Sequence, residues 1–170
     1  GTTYDAVTGL YAYEPEPSAT NLATNSAGAA ATWTASNVTD AGTPISGFAA
    51  SLAFGDNSVP RTAYKSISIT NTVVYTLSIF VEMDDGTAPV VGSSTTGDFG
   101  LVGDGNLLTI GALITRIGSS NVYRVSRSFT SATTGSKNHG VVKYTGSTAR
   151  TFRIVGIQVE TGSRATSYIA

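Results

Sequence analysis

Period-two alternation of apolar and polar residues runs through most of the chain. The segment VVYTLSIFVEM places Tyr75, Leu77, Ile79, Val81 and Met83 on one face and Thr76, Ser78, Phe80 and Glu82 on the other, the pattern of a half-buried strand. KSISIT alternates Ile67 and Ile69 with serines, and VYRVSRSFT sets Tyr123, Val125, Arg127 and Phe129 against Arg124, Ser126 and Ser128. GFAASLAF puts Phe48, Ala50, Leu52 and Phe54 on one side. RTFRIVGIQVE predicts a last strand in which Phe152, Ile154, Gly156 and Gln158 alternate with Arg153, Val155, Ile157 and Val159. After Gly156 the apolar Ile157 and Val159 are expected inward, with Gln158 and Glu160 on the opposite face. DDGT (Asp84–Thr87), TGST and glycine-rich stretches supply the turns. No segment shows a period of 3.6. Many short strands separated by turn signals predict an all-β sandwich or barrel.

The first twenty residues differ. Pro15 and Pro17 hold Glu14 and Glu16 extended. Residues 1–20 are therefore expected to be an extended N-terminal arm or linker, with LYAYEP able to pair as an edge strand, and residues 21–170 to be the domain.

Composition narrows the function. The chain has 170 residues, enough for one domain with a core of its own, and no cysteine, which excludes disulfides and thiolate metal sites. Charged residues make up 12%, with Lys+Arg 10 against Asp+Glu 11. That balance lacks the basic footprint of a nucleic-acid binder. No apolar run reaches the ~18 residues of a membrane span, so neither nucleic acid nor membrane insertion is expected.

Catalytic chemistry is sparse. His139, the one histidine, stands in SKNHGVV and reads as a solvated loop residue rather than a general base. Asp84 and Asp85 are adjacent in a turn and point apart, unlike a glycosidase pair. Asp98, Asp104 and Asn106 in GDFGLVGDGN lack calcium-loop spacing and read as two surface turns. Asn37-Val38-Thr39 matches a glycosylation acceptor, a pattern frequent by chance in a threonine-rich chain. The expectation is a non-enzyme. Trp33, Tyr64, Tyr123 and Tyr144 are the candidates for stacking on a sugar ring. Core packing is the better account of Trp33 and Tyr123.

Several stretches taken together carry a resemblance. They are NLATNSAGAAATWTASNVT from Asn21, YTLSIFVE from Tyr75, IGSSNVYRVSRSFTS around Tyr123-Arg124, and the closing VGIQVETGSRATSYIA with Gly156, Gln158, Glu160, Gly162 and Thr166-Ser167-Tyr168-Ile169. In this order they resemble the carbohydrate-binding-module-like jelly-roll domain of tailed-bacteriophage tail fibres and other virion proteins. Asn121-Val122 departs from the family's Gly-Trp before Tyr-Arg.

The resemblance implies a two-sheet antiparallel jelly-roll β-sandwich of concanavalin or galactose-binding type. It implies a tail-fibre or decoration domain on the extracellular particle surface. Its implied partners are further copies of itself (a trimer foremost), other virion proteins and host-surface glycan; the alternative is a structural module without sugar. It implies no cofactor. Related sugar-binding jelly rolls often hold a structural calcium, whose ligands are not assignable from this sequence. It also places Arg124 on a strand beside the last one. Arg124, Gln158, Glu160 and Tyr168 are thus expected to form a clasp at the chain's end, with Arg124 donating to Glu160 and Tyr168-Ile169 packing back.

Overall fold

The computed structural model describes residues 2–5, 10–13, 19–24, 30–93, 95–108 and 111–168. Near the N-terminus, β1 (Thr2–Asp5) and β2 (Leu10–Tyr13) pair antiparallel. The stretch expected to be an extended arm therefore contains a hairpin; LYAY is a strand, paired locally. Glu14–Pro17 lie outside the described residues, as do Gly1 and Ile169.

A 3-10 turn (Ala30–Thr32) precedes β3 (Thr34–Ser36), β4 (Thr39–Asp40), β5 (Leu52–Phe54), β6 (Arg61–Ile69) and β7 (Val74–Met83). Next come β8 (Gly100–Gly103), β9 (Asn106–Leu108), β10 (Leu113–Arg116), β11 (Val122–Thr130), β12 (Gly135–Lys143) and β13 (Phe152–Thr161). The pairings are nested: β5 with β13, β6 with β12, β7 with β11 and β8 with β9, all antiparallel. Alternate pairs go to alternate sheets. One sheet has the order β10-β11-β7-β13-β5-β4 and the other β3-β6-β12-β8-β9. A long hairpin rolled so that its nested pairs alternate between two layers is a jelly roll. The expected fold class holds, and the pairing itself decides for a sandwich over a barrel.

The inward faces are those the alternation predicted for the long strands. Leu77, Ile79 and Val81 of β7, Val125 of β11, Ile67 and Ile69 of β6 and Val141 of β12 are buried between the sheets. Phe152 ties the aromatic part of the core together, stacked on Phe54 at 4.8 Å and tilted against Phe99 at 4.9 Å. Phe48 is a correction. It does not share the inner face with Leu52 and Phe54; it joins Phe80, Val155 and Ile45 in a second cluster outside the six-stranded sheet. β5 begins only at Leu52, so the alternation through GFAASLAF crosses a loop and loses its phase.

β13 also breaks strict alternation. Three steps from Val155 to Gln158 oppose two steps from Phe80 to Ser78 on β7, so β13 carries a bulge of one residue. Gly156 sits in it at φ +66. Before the bulge Phe152 and Ile154 point inward; after it Ile157 and Val159 do. The extra residue repairs the phase of an apolar pattern that would otherwise turn Ile157 and Val159 outward.

Among the described residues, β13 has no strand on its β5 side beyond Ile154. Residues near the start of the domain fill that edge. Leu22 donates its amide to the Val159 carbonyl (2.8 Å). Asn21 donates Nδ2 to the Ile157 carbonyl (3.2 Å), and its Oδ1 accepts from the Val159 amide (3.1 Å). One side-chain amide thus imitates a strand's donor and acceptor. On the outer face the tail after Thr161 folds back. Glu160 accepts from the Thr166 amide (3.0 Å) and from Gln158.

A Cβ at position 156 would lie 2.9 Å from the Phe80 ring and 3.2 Å from both Phe48 and Tyr168. Gly156→Ala is expected to lose ~1–2 kcal/mol from the left-handed backbone alone, with the displaced rings adding to it. Glu160→Ala, which strips the Thr166 amide and Gln158 of their acceptor, is expected to lose about 1–3 kcal/mol. Urea denaturation midpoints check both; wild-type midpoints would contradict the role given to the bulge and tail.

Candidate functional site

The predicted clasp residues meet, but not in the predicted pairing. Arg124 does not take up the Glu160 carboxylate. It donates to Ser78 Oγ from Nη2 (2.9 Å) and Nε (3.3 Å) and to the Thr166 carbonyl, with its guanidinium 5.7 Å from the Phe80 ring centre. Glu160 holds the Thr166 amide. Arg124 and Glu160 therefore grip one tail residue from its two peptide sides. The reason is geometric: Glu160 lies opposite Thr76 on β7, and Arg124 opposite Phe80. Tyr168 packs edge-on against Phe80 (5.4 Å) and Phe48 (5.6 Å).

This tail forms one wall of a groove of about 570 Å³ on the outer face of the six-stranded sheet. Thr76 and Ser128 share a hydroxyl contact (2.8 Å) and bond to the Gly162 and Ser163 carbonyls, which sets the height of the wall formed by Ser163, Arg164 and Ala165. The floor is Arg124, Ser126 and Ser128 of β11. The other wall is the edge strand, with Leu113, Thr115 and Ile117. Leu113 is 65% exposed and Ile117 41%. The volume lies within the ~300–1,000 Å³ range of ligand clefts. Hydroxyls, guanidinium donors and the aliphatic side chains of Leu113 and Ile117 line it, and among the described residues no aromatic ring or carboxylate does.

The four aromatic candidates are not assembled into one platform. Trp33 is 7% exposed and joins the core, with the Lys65 ammonium 5.0 Å from its ring centre. Tyr64 stands half-buried on β6 and lines, with Trp33, Lys65 and nearby hydroxyls, a shallow recess of about 350 Å³. Tyr64's phenol is raised above its ordinary value by burial and by nearby Tyr144, so these two are neighbours. Tyr123 lies in the other sheet, on the inward side of β11 opposite Val81.

Two readings of polar residues need correction. His139 is not a solvated loop residue: it is fully buried on β12. Its Nε2 accepts from the Asp104 amide (3.2 Å), and its Nδ1 faces the Lys137 carbonyl (2.9 Å), an arrangement that fits the neutral ring protonated on Nδ1. Burial lowers its pKa, opposed by the Lys137 carbonyl and by Asp104. The stretch GDFGLVGDGN is not two surface turns. Asp104-Gly105, both at positive φ, do turn the β8–β9 hairpin, yet the Asp104 side chain is buried and accepts from Thr133 Oγ1 (2.5 Å) and the Ala132 amide (2.8 Å). Asp98 is fully buried beside Phe99 and accepts from Arg150 (2.6 Å), Thr148 (2.5 Å) and the Val90 amide (2.7 Å). Asp84 and Asp85 do lie in a turn, each paired with an arginine: Arg153 for the first and Arg150 for the second. The hydrogen bonds from Arg150 and Thr87 hold Asp85 well below the usual carboxylate range.

Sequence reasoning missed the buried lysines. Lys143 points inward, donates to the Arg150 carbonyl and lies 5.4 Å from the Phe152 ring centre. Lys65 donates to the Thr32 carbonyl and Oγ1. Burial lowers both pKa values. Position parity pointed both inward, since each shares a face with Ala63 or Val141. Among the described residues no group of three or more His, Asp or Glu side chains converges on a metal-sized site.

Fold and site define the class: an all-β jelly roll with an open, hydroxyl-rich groove on one sheet. No protein-family model and no curated relative matches the chain. Among solved structures it is similar to the CBM22-1 xylan-binding domain from Paenibacillus barcinonensis Xyn10C, at 14% identity, a TM-score of 0.47 and coverage of 86% of this chain and 94% of that domain. The jelly-roll assignment rests on the nested pairing, independently of that likeness.

His139 makes stability pH-dependent with a definite sign. Its folded pKa is below the ordinary 6.5, so the unfolded chain binds the proton first. Stability is complete above pH ~6.5 and falls as pH drops toward the lowered value. The lowered carboxylates Asp56, Asp85 and Asp104 add their loss only below their ordinary 3.8. Urea titrations at pH 7.5 and 5.0 are expected to show a falling midpoint in the wild type and a flatter response in His139→Gln. Equal slopes would contradict the assignment.

Proposed function

We propose that this is a non-catalytic adhesion domain of a bacteriophage virion appendage, a tail-fibre or decoration domain on the particle surface, that holds host-surface glycan. The observation that carries the binding reading is the groove between β10 and the tail. Its hydroxyls and guanidiniums suit the alternating donors and acceptors of a polyol, and Leu113 and Ile117 suit the C–H face of a pyranose. The virion setting is supported by the ordered resemblance from Asn21 to the closing stretch.

A single sugar offers about a dozen heavy atoms. At roughly −0.3 kcal/mol per atom, one site reaches millimolar affinity. Useful adhesion therefore comes from several linked copies, where avidity adds about 10²–10⁴. Titration of the purified protein with host-surface oligosaccharides is expected to give millimolar binding. Leu113→Asp combined with Ile117→Asp, both at exposed positions, is expected to weaken it at least ~10-fold, while Tyr64→Ala leaves it unchanged. Undiminished binding by the double variant would refute the groove as the site.

A second reading is a structural module that contacts another copy of itself. It is favoured by the exposed apolar cluster Leu113, Ile114 and Ile117 at the open edge of the six-stranded sheet. Soluble proteins usually guard such edges. Sedimentation equilibrium checks it: the second reading expects an oligomer that the same double variant dissociates, and a monomer at all concentrations counts against it.

A further inference from the structure

We propose that His139 is a proton-operated latch for one end of the sandwich: a proton on its Nε2 releases the β8–β9 and β11–β12 turns while both sheets stay folded. The proposal stands apart from the glycan reading.

The β6–β7, β11–β12 and β8–β9 turns meet at that end and are laced together. The Thr72 amide donates to the Ser131 carbonyl (2.9 Å), the Ser131 amide to the Val73 carbonyl (3.0 Å) and the Asn71 amide to Thr134 Oγ1 (3.0 Å). These bonds tie the first turn to the second. The second is tied to the third through the Asp104 carboxylate, which accepts from the Ala132 amide (2.8 Å) and Thr133 Oγ1 (2.5 Å). Asp104 is held in turn by His139, whose Nε2 accepts its backbone amide (3.2 Å). The Gly105 amide donates to the Asn138 carbonyl (3.1 Å).

The latch requires the neutral ring. Nδ1 donates to the Lys137 carbonyl (2.9 Å), which leaves the Nε2 lone pair for Asp104. A proton on Nε2 sets donor against donor and places a charge on a ring with no solvent exposure. The charged side chains on the elements around the ring are Asp104, Lys137 on β12 and Lys65, opposite His139 on β6. β11 presents the Phe129 ring at 5.7 Å, and β9 brings no charge. Of these groups Asp104 alone has the opposite sign. Its oxygens point at Ala132 and Thr133, so turning one to the ring gives up a bond between the two turns. Whether the imidazolium stays unpaired or draws in Asp104, the end loses part of its lacing.

The direction in pH follows. Burial lowers the pKa of His139, opposed by the Lys137 carbonyl and Asp104, whereas the opened end binds the proton at the ordinary 6.5. Opening is therefore favoured as pH falls below about 6.5. Asp104 stays ionised at pH 5.0: burial raises its pKa, but the Thr133 hydroxyl, the Ala132 amide and Lys137 more than offset this and hold it below 3.8. His139 is the chain's one histidine, so a change between pH 7.5 and 5.0 reports on it.

Hydrogen exchange of the full chain followed by NMR, corrected for the intrinsic pH dependence of exchange, tests the latch alongside the His139 imidazole shifts. Between pH 7.5 and 5.0, protection of the Asp104, Gly105 and Ala132 amides is expected to fall at least ~10-fold in step with the titration of the ring. Leu77, Ile79 and Val125 in the six-stranded sheet are expected to change by less than ~3-fold. His139→Gln keeps an acceptor without a proton site and is expected to remove the local loss. Persistence of that loss in His139→Gln would assign it to another group and overturn the latch. Should that variant fail to fold, the wild type decides. A ring that titrates with the turns still protected, a ring that stays neutral down to pH 5.0, or a loss spread evenly over both sheets would each contradict the proposal.

Discussion

The bulge at Gly156 shifts β13 by one residue, and both the core and the outer face depend on that shift. Inside, it keeps Ile157 and Val159 in register with the apolar face begun by Phe152 and Ile154. Outside, it turns Gln158 and Glu160 toward the tail and leaves room for Phe48, Phe80 and Tyr168 to close over a position where no side chain fits. The strand then needs partners on an edge that β5 leaves open, and Asn21 and Leu22 provide them. The two ends of the domain are joined through one strand. The same closure builds the candidate site, because the tail held by Thr166 is a wall of the groove.

Electrostatics divides the molecule in a way its composition hides. Near-neutral net charge conceals a region where arginines and carboxylates neutralise one another, Arg61 with Asp56, Arg150 with Asp85 and Asp98, and Arg153 with Glu82 and Asp84. Cations at inward positions are handled differently again. Lys65 and Lys143 lie beside aromatic rings and end on backbone carbonyls of adjoining loops, Thr32 and Arg150. Each lysine stem packs at the margin of the core while its ammonium satisfies carbonyls that a loop leaves over, which limits the desolvation cost of a buried charge. Arg150 links both themes: its carbonyl receives Lys143, and its guanidinium spans Asp85 and Asp98.

Legibility in the sequence followed the length of the strand. β7 and β11 could be read residue by residue, because nine or ten positions of alternation tolerate no phase error. β5, with three residues, could not, and Phe48 was assigned to the wrong face. Gly156 looked like one more member of an alternating series; only the change of apolar parity, from Ile154 to Ile157, signalled a bulge. The polar neighbours of His139 and Asp98 suggest solvent, whereas strand pairing with β6 buries the first and hydrogen bonds from Arg150, Thr148 and the Val90 amide hold the second. The closing motif was legible as a clasp, but its bonds run through the Thr166 backbone, which side-chain identities do not reveal. The groove was invisible, since β7, β10, β11 and the tail bring its lining from separated stretches. The aromatic residues that the sequence offers as sugar platforms lie elsewhere, Trp33 in the core and Tyr64 on the other sheet.

The sheet face that meets the ligand decides between the groove and the Tyr64 recess. Backbone amide chemical shifts followed by NMR during titration with a host-surface oligosaccharide identify it residue by residue. The largest changes are expected on the β10–β11 edge and the tail, at Leu113, Thr115, Ser126 and Ser163 to Ala165, while Tyr64 on the opposite sheet and Tyr144 just after β12 stay unmoved. Changes centred on Tyr64 and Tyr144 with a silent groove would contradict it.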